Sequence, residues 1–196
     1  MALLRRLALM LTTLSVLLTQ GMAFRIVAAE EYWEGYDAFD RGDYRAALRI
    51  YRRLAEAGDV QSQDDLGYMY YLGQGTAQNF TTAAKWFRRA ADQGHAPAQL
   101  NLGVLYQQGH GLPKDSIEAH RWFSLSALLA TTADSRDLSV GYRDAFARRM
   151  TSAELDKARH AACRWWREFK GRPNNPIHGL KDGHSAKLPG CEPESP

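Results

Sequence analysis

The apolar positions of this chain recur at helical spacing, and the pattern repeats after 36 residues through the middle of the sequence. The first copy contains Gly58, Leu66, Gly67, Tyr70, Gly73, Gly75, Ala83, Trp86, Phe87 and Ala91, and the second contains Gly94, Leu102, Gly103, Tyr106, Gly109, Gly111, Ala119, Trp122, Phe123 and Ala127. One such unit cannot bury its apolar face alone, so the copies are expected to stack. The pattern therefore predicts an all-α solenoid of helix pairs.

Each copy divides into two helices joined by a glycine turn. In the second copy the first helix is predicted over about 96–108, and its apolar stripe follows the helical period. Gly103 interrupts this helix at a cost of about 1 kcal/mol relative to alanine, which predicts close helix packing at that point. The second helix is predicted to open at Asp115, with Glu118 completing a capping box.

Further helices are predicted on both sides of the two clear copies. Upstream, 43–55 aligns with 79–91, follows a helix at about 30–39, and has a turn shortened to Arg41 and Gly42, as expected of a terminal repeat. Downstream, a helix is predicted at about 136–149, and the Thr151 and Glu154 capping-box spacing opens another that runs to about 169.

The repeat closely resembles the Sel1-like repeat, a relative of the tetratricopeptide repeat. The resemblance is carried by Ala98, Gln99, Leu102, Gly103, Tyr106, Gly109, Gly111, Asp115, Ala119, Trp122 and Phe123. It implies a right-handed superhelical solenoid of antiparallel helix pairs with a C-terminal helical cap, and adaptor or regulatory roles. The expected organisation is a signal peptide at 1–23, a degenerate helix pair at 24–57, repeats at 58–93 and 94–129, the cap at 130–170 and a loose tail at 171–196.

The N-terminus has the parts of a secretory signal. Arg5 and Arg6 precede an apolar run, and small residues follow it, with cleavage expected after Ala23 or alternatively after Ala29. Polar residues interrupt the run well before the roughly 20 apolar residues of a membrane span. An uncleaved anchor is the alternative. We expect a bacterial protein of the periplasm or medium, without stable membrane insertion after cleavage.

Loss of the leader also changes the charge. The chain has 25 Lys and Arg and 22 Asp and Glu side chains, so removal of Arg5 and Arg6 leaves a net charge of about +1. Such a nearly neutral chain lacks the basic footprint of a nucleic-acid-binding protein. Nucleic acid is therefore not an expected partner.

The chain contains two cysteines, Cys163 in a predicted helix and Cys191 in the tail. In an oxidising compartment the pair is expected to close a disulfide, with free thiols or intermolecular pairing as alternatives. A metal site would need His160 beside both cysteines and a histidine from the tail, His178 or His184. Because no tight Cys-x-x-Cys pair is present, we predict no metal site.

No catalytic motif or cofactor-binding motif has the required spacing. The sequence lacks a Gly-x-Ser-x-Gly elbow, a His-Glu-x-x-His helix and a phosphate loop with lysine. His95, His110 and His120 stand where the other copy has Asp59, Gln74 and Ala84, so the repeat does not require histidine there. The chain is accordingly expected not to be an enzyme and to need no cofactor.

Binding residues are expected where the copies differ on the face lined by the first helix of each pair. The candidates are Asp65, Tyr68, Tyr71, Asn101, Gln107 and Gln108. Tyrosines and amides offer contact area and hydrogen bonds suited to a peptide, although ordinary wet helix surface is the alternative. The predicted function is a periplasmic scaffold or adaptor that binds a protein or peptide; the alternative is an envelope protein that binds peptidoglycan or glycan.

Overall fold

The computed structural model describes residues 29–172 and Cys191, and within them it contains helices and no strands. The predicted signal peptide and most of the predicted tail lie outside the described residues. The helices are α1 at 29–40, α2 Tyr44–Glu56, α3 Val60–Leu72, α4 Phe80–Asp92, α5 Ala96–Gln108, α6 Ser116–Leu129, α7 Ala133–Ala147 and α8 Ser152–Lys170. Each helix packs on the next along the chain from α2 to α7, and α8 packs on α6. The predicted all-α helical-repeat fold is confirmed.

A glycine of each first helix lies against an aromatic ring of the second helix in the same pair. A Cβ atom added to Gly67 would stand 2.7 Å from Phe87, and one added to Gly103 would stand 2.5 Å from Phe123. In the N-terminal pair, α1 and α2, Gly35 meets Tyr51 in the same way, at 2.9 Å. The interior glycines therefore allow the close packing predicted for Gly103, and the partner is an aromatic side chain.

The turn glycines allow each helix pair to approach the backbone of the previous pair closely. Gly75 adopts φ 71° and its Cβ would stand 2.3 Å from the carbonyl oxygen of Tyr44, at the start of α2. Gly111 adopts φ 69° and makes the same approach to the backbone of Phe80, at the start of α4. Both positions exclude a side chain twice over, since the backbone is left-handed and a neighbouring backbone fills the space.

Two side-chain hydrogen bonds also recur with the repeat. The buried amides of Gln63 and Gln99 donate to the carbonyl oxygens of Ala55 and Ala91, each at 3.1 Å, near the end of the preceding helix. A second pairing joins an arginine of a second helix to a tyrosine of the following first helix. In it Arg52 donates to the Tyr70 hydroxyl at 2.8 Å, and Arg88 donates to Tyr106.

Most of the aromatic residues that recur with the repeat lie in the core. Trp122, Phe87 and Phe123 are fully buried, whereas Trp86 is half-buried, with the guanidinium of Arg89 4.5 Å from its ring centroid. The C-terminal helix α8 closes this core. Its Trp165 meets Trp122 edge to face at 6.0 Å, and Phe169 fills the space beside Gly94.

The capping box predicted for α8 is present, and the one predicted for α6 is present in part. Thr151 and Glu154 form the predicted capping box at the start of α8. Asp115 caps α6 by accepting from the amides of Ile117 and Glu118, but the Glu118 carboxylate does not return to the cap. It binds Arg121 at 2.6 Å instead, so the capping box predicted there was wrong in its second half.

Cys163 of α8 and Cys191 are placed as a disulfide, with Cα atoms 5.5 Å apart. The two cysteines are 28 residues apart in the sequence, and Cys191 packs against the core cluster that contains Trp166. No helix in the described part of the chain is long and apolar enough to cross a bilayer.

Candidate functional site

The first helices α1, α3 and α5 lie side by side, and their solvent-facing side is called the first-helix surface below. Three hydrogen bonds cross between them: Tyr32 donates to Asp65 at 2.9 Å, Asn101 donates to Asp64 at 3.1 Å, and Tyr71 donates to Gln108 at 3.5 Å. When α1, α3 and α5 are aligned on their interior glycines, Gly35, Gly67 and Gly103, the two residues of each bond are offset by one position. The residue on the later helix is always one position further along. The three helices are thus stacked in one uniform register.

Asp65 lies between α1 and its own helix. Its carboxylate accepts from the Tyr32 hydroxyl, and the Gln61 amide approaches it at 3.4 Å. Burial raises the pKa of Asp65 to about 6, although the two hydrogen bonds oppose that change. Burial and the Asp65 charge also raise the pKa of Tyr32. The hydrogen bond from Tyr32 to Asp65 therefore joins α1 to α3, and only part of the Asp65 side chain faces solvent.

Asn101 has a similar joining role between α3 and α5. Its partner Asp64 is buried and also lies 3.5 Å from the Nε2 atom of His95, the residue before α5. The amide of Asn101 therefore satisfies a buried carboxylate. A substitution here would disturb the helix stack as well as the surface.

The remaining candidates differ in how open they are. Tyr71 and Gln108 contact each other, while Gln107 is half-buried on α5. The side chain of Tyr68 is 46% exposed. The structure thus brings all six predicted residues onto two adjacent helices, and Tyr68 presents the largest free apolar area among them.

Three further exposed side chains on this surface were missed from the sequence. They are Trp33 and Tyr36 on α1 and Leu72 at the end of α3. The sequence feature that could have identified them is Gly35, which corresponds to Gly67 of the next first helix. These two glycines are 32 residues apart and not 36, because the turn between α1 and α2 is shorter than the turns of the later pairs. That alignment places Trp33 at the level of Asp65 and Tyr36 at the level of Tyr68.

The three repeat histidines have separate surroundings. His95 lies beside Asp64, His110 stacks on Phe80 at 4.5 Å, and His120 is buried on α6. Burial, with Arg143 and Arg159 nearby, lowers the pKa of His120 to about 4, so its ring is neutral at neutral pH. Among residues 29–172 and Cys191, no three His, Cys, Asp or Glu side chains are grouped as metal ligands.

His120 borders a cavity of about 280 Å³ between α6, α7 and α8. Ser124, Arg143, Leu155 and Arg159 are among its other lining residues. The Ser124 hydroxyl donates to the carbonyl oxygen of His120 at 2.9 Å, and the Nδ1 atom of the His120 ring lies 3.5 Å from the same hydroxyl oxygen. The hydroxyl proton is therefore directed to the carbonyl oxygen and not to the imidazole that would have to accept it in nucleophilic catalysis.

Comparison with known proteins places these features in a family. The Sel1 repeat model matches residues 26–59, 60–95 and 96–130, more than half of the chain. No curated protein matches. Among solved structures, a protective antigen of uropathogenic Escherichia coli with an SLR fold is 26% identical with a TM-score of 0.65, and a Sel1 repeat protein of Oxalobacter formigenes is 25% identical with a TM-score of 0.50.

The matches cover about 70% of this chain but less of the relatives. They span 30% of the Escherichia coli antigen and 63% of the Oxalobacter formigenes protein. Sel1 repeats are typically non-catalytic scaffolds for protein–protein interaction, in keeping with the large open surface that stacked helix pairs provide. Sequence pattern, glycine packing and family match agree, and this chain belongs to the Sel1 repeat family.

Proposed function

We propose that this protein is an exported scaffold or adaptor that binds a protein partner on the first-helix surface. Repeat proteins of stacked helix pairs use such extended faces for binding, and Sel1 repeats typically bind proteins. The partner segment lies across α1 and α3, where the aromatic side chains are open. Asp65, Asn101 and the Tyr71–Gln108 pair hold the helices in register beneath it.

The observation that carries the proposal is the exposure of Tyr36 and Tyr68. These tyrosines occupy equivalent positions on neighbouring first helices and are 47% and 46% exposed. Open tyrosines are frequent anchors in protein interfaces, because the ring supplies apolar area and the hydroxyl a hydrogen bond. In the next helix the equivalent residue is Val104, which packs against the cluster around Phe123 and Phe146. The open region is therefore the N-terminal part of the surface.

Export is supported by two independent features. The N-terminal sequence has the charge and apolar pattern of a signal peptide. Cys163 and Cys191 lie at disulfide distance, and stable disulfides are characteristic of oxidising compartments. N-terminal sequencing of the protein recovered from the periplasm should begin at Phe24 or Glu30; a chain recovered with Met1 would contradict cleavage.

Site-specific photocrosslinking tests the surface. A photoreactive phenylalanine analogue placed at Tyr68 should give a discrete crosslinked protein in cells, and the same analogue at Arg49, an exposed position of α2, should not. Tyr36→Ala in the Tyr68-labelled protein should abolish the product. Equal products from positions 68 and 49, or no loss with Tyr36→Ala, would contradict the proposed surface.

Binding of peptidoglycan or another glycan is the second candidate, because exposed rings such as Trp33 also stack on sugars. Purified cell-wall sacculi distinguish the two functions. A peptide-binding scaffold remains in the supernatant when the sacculi are sedimented. A glycan-binding protein is carried down, and Trp33→Ala releases it.

A further inference from the structure

Four exposed apolar side chains form one region of the first-helix surface, called the aromatic face here. Trp33, Tyr36, Tyr68 and Leu72 are 60%, 47%, 46% and 44% exposed. The rings of Trp33 and Tyr36 meet edge to face at 5.6 Å, and the helix register places Tyr36 beside the level of Tyr68. Neighbouring exposed apolar side chains of this kind mark interaction sites more often than isolated ones do.

Charge is segregated between the two sets of helices. The first helices α1, α3 and α5 contain seven Asp and Glu residues and no Lys or Arg. The second helices α2, α4 and α6 contain eight Lys and Arg residues and three Asp and Glu residues. Four of the seven acidic residues of the first helices are exposed, Glu30, Glu34, Asp37 and Asp40, and all four belong to α1.

The acidic residues of α1 surround the aromatic face. Glu30 precedes Trp33 by three residues and Asp37 follows it by four, while Asp40 follows Tyr36 by four. Residues at these spacings are neighbours on a helix surface, and all three acids are exposed. Among the acids of α1, Glu31 is different, because Arg53 of α2 pairs with it. Three of the five acidic residues of α1, Glu30, Asp37 and Asp40, thus lie on the same side as the rings.

We propose that the aromatic face binds a segment of the partner that is rich in lysine and arginine. This inference rests on the proposed function and specifies the chemistry of the ligand. Ring faces attract cations, and the aliphatic stems of Lys and Arg cover the exposed apolar area. The surrounding carboxylates attract the same segment from a distance and disfavour acidic competitors.

The charge pattern favours a cationic segment over an acidic segment, a neutral apolar segment or a glycan. An acidic segment would meet uncompensated like charge at Glu30, Asp37 and Asp40. A neutral apolar segment or a glycan would use the rings but gain nothing from the carboxylates. Dependence on both the rings and the carboxylates is therefore specific to a cationic ligand.

The test uses the full chain and three fluorescent peptides of equal length and equal apolar content. Their charged positions carry Lys and Arg, Asp and Glu, or Ser and Gln, and binding is measured by fluorescence anisotropy at low and moderate salt. The cationic peptide should bind at least about tenfold more tightly than the other two. Its affinity should fall several-fold as salt rises through the range in which exposed charges become screened.

Matched variants locate the binding. Trp33→Ala should weaken the cationic peptide about fivefold, and the control Leu138→Ala, at an exposed apolar residue of α7, should leave it unchanged. Asp37→Lys should weaken the cationic peptide and strengthen the acidic one, whereas Glu56→Gln on α2 should change neither. Circular dichroism melting curves show that each variant is folded.

The outcomes separate this inference from the proposed function. Equal binding of the three peptides, all weakened by Tyr68→Ala, would overturn the cationic ligand and leave the protein-binding surface standing. Preference for the acidic peptide would overturn it as well. Failure of all three peptides to bind would overturn it, and the crosslink from position 68 would then decide the proposed function separately.

Discussion

Gly103 of α5 lies directly beneath the ring of Phe123 of α6, so close that an added Cβ would stand 2.5 Å from Cε1. The same pairing joins Gly67 to Phe87 and Gly35 to Tyr51. Alanine favours the helix by about 1 kcal/mol over glycine, but the overlap with a fully buried ring costs more. The glycine is therefore kept for packing.

Gly103→Ala should lower the free energy of unfolding by about 1–3 kcal/mol, because the Phe123 ring must move. Gly141 provides the control: it lies within α7, and an added Cβ there meets nothing within 4 Å. Gly141→Ala should raise stability by roughly 0.5–1 kcal/mol through helix propensity. Urea denaturation of both variants measures the contrast, and equal effects would contradict the packing role.

The recurrent glutamine is expected to be structural. Gln99 is fully buried, and its amide donates to the carbonyl oxygen of Ala91. Gln99→Leu should cost about 0.5–1.5 kcal/mol, because the hydrogen bond is lost while the Ala91 carbonyl keeps the backbone amide of Gly94 as a donor. Gln107→Leu, at a half-buried position of the same helix, is the matched control and should change stability little. Thermal or urea unfolding curves for the two variants test this.

His120 should make stability fall at acidic pH. Its pKa is lowered from 6.5 to about 4, so the unfolded chain binds a proton more readily between those values. Folding free energy is therefore lost as pH falls from about 6.5 to 4, by up to about 3 kcal/mol. His120→Ala places here the residue found at the equivalent Ala84 and should remove this contribution.

The pH effect is best measured as the difference between His120→Ala and the unchanged protein. Asp65 has its pKa raised to about 6, so its contribution to stability falls as pH rises from about 4 to 6 and opposes that of His120. Urea denaturation at several pH values between 4 and 7.5 gives the difference directly. A difference that is independent of pH would contradict the neutral, buried histidine.

Oxidation of Cys163 and Cys191 should protect both thiols from alkylation in denatured protein until a reductant is added. The intact mass should rise by two hydrogens on reduction. Closing a connection of 28 residues stabilises the folded state by roughly 3–4 kcal/mol in the chain-entropy description, so the midpoint of unfolding should fall on reduction. Alkylation of both cysteines without reductant would contradict the disulfide.

Local patterns were enough to predict the helix pairs and most of their ends. The apolar period marks α5, glycines such as Gly109 end helices in the left-handed conformation, and Thr151 with Glu154 opens α8. These signals concern residues within a turn or two of each other. Local chemistry gave the wrong partner for Glu118, where Arg121 one turn later offered an opposite charge. It also missed the start of α7, which begins at Ala133 after a Thr132–Ser135 capping box and not at about 136.

The proposed binding surface contains only some of the residues that the sequence suggested. Comparison of the two copies identified Tyr68, because the repeats differ at this position and the packing of the repeat does not require a tyrosine there. Trp33 and Tyr36 were missed, because the shorter turn after α1 breaks the 36-residue alignment and only Gly35 preserves it. Asp65 and Asn101, named from the sequence as candidate binding residues, also join neighbouring helices.

The sequence by itself determined that this protein is a stack of helix pairs, because helical period, turn glycines and caps act over a few residues and repeat along the chain. Only the tertiary structure decided which polar residues face solvent. Asp64 and Asn101 are 37 positions apart, and their hydrogen bond depends on how one pair is rotated against the next. Contacts between pairs, such as that of Gly111 with the Phe80 backbone, join residues 31 positions apart, and no local pattern reveals them.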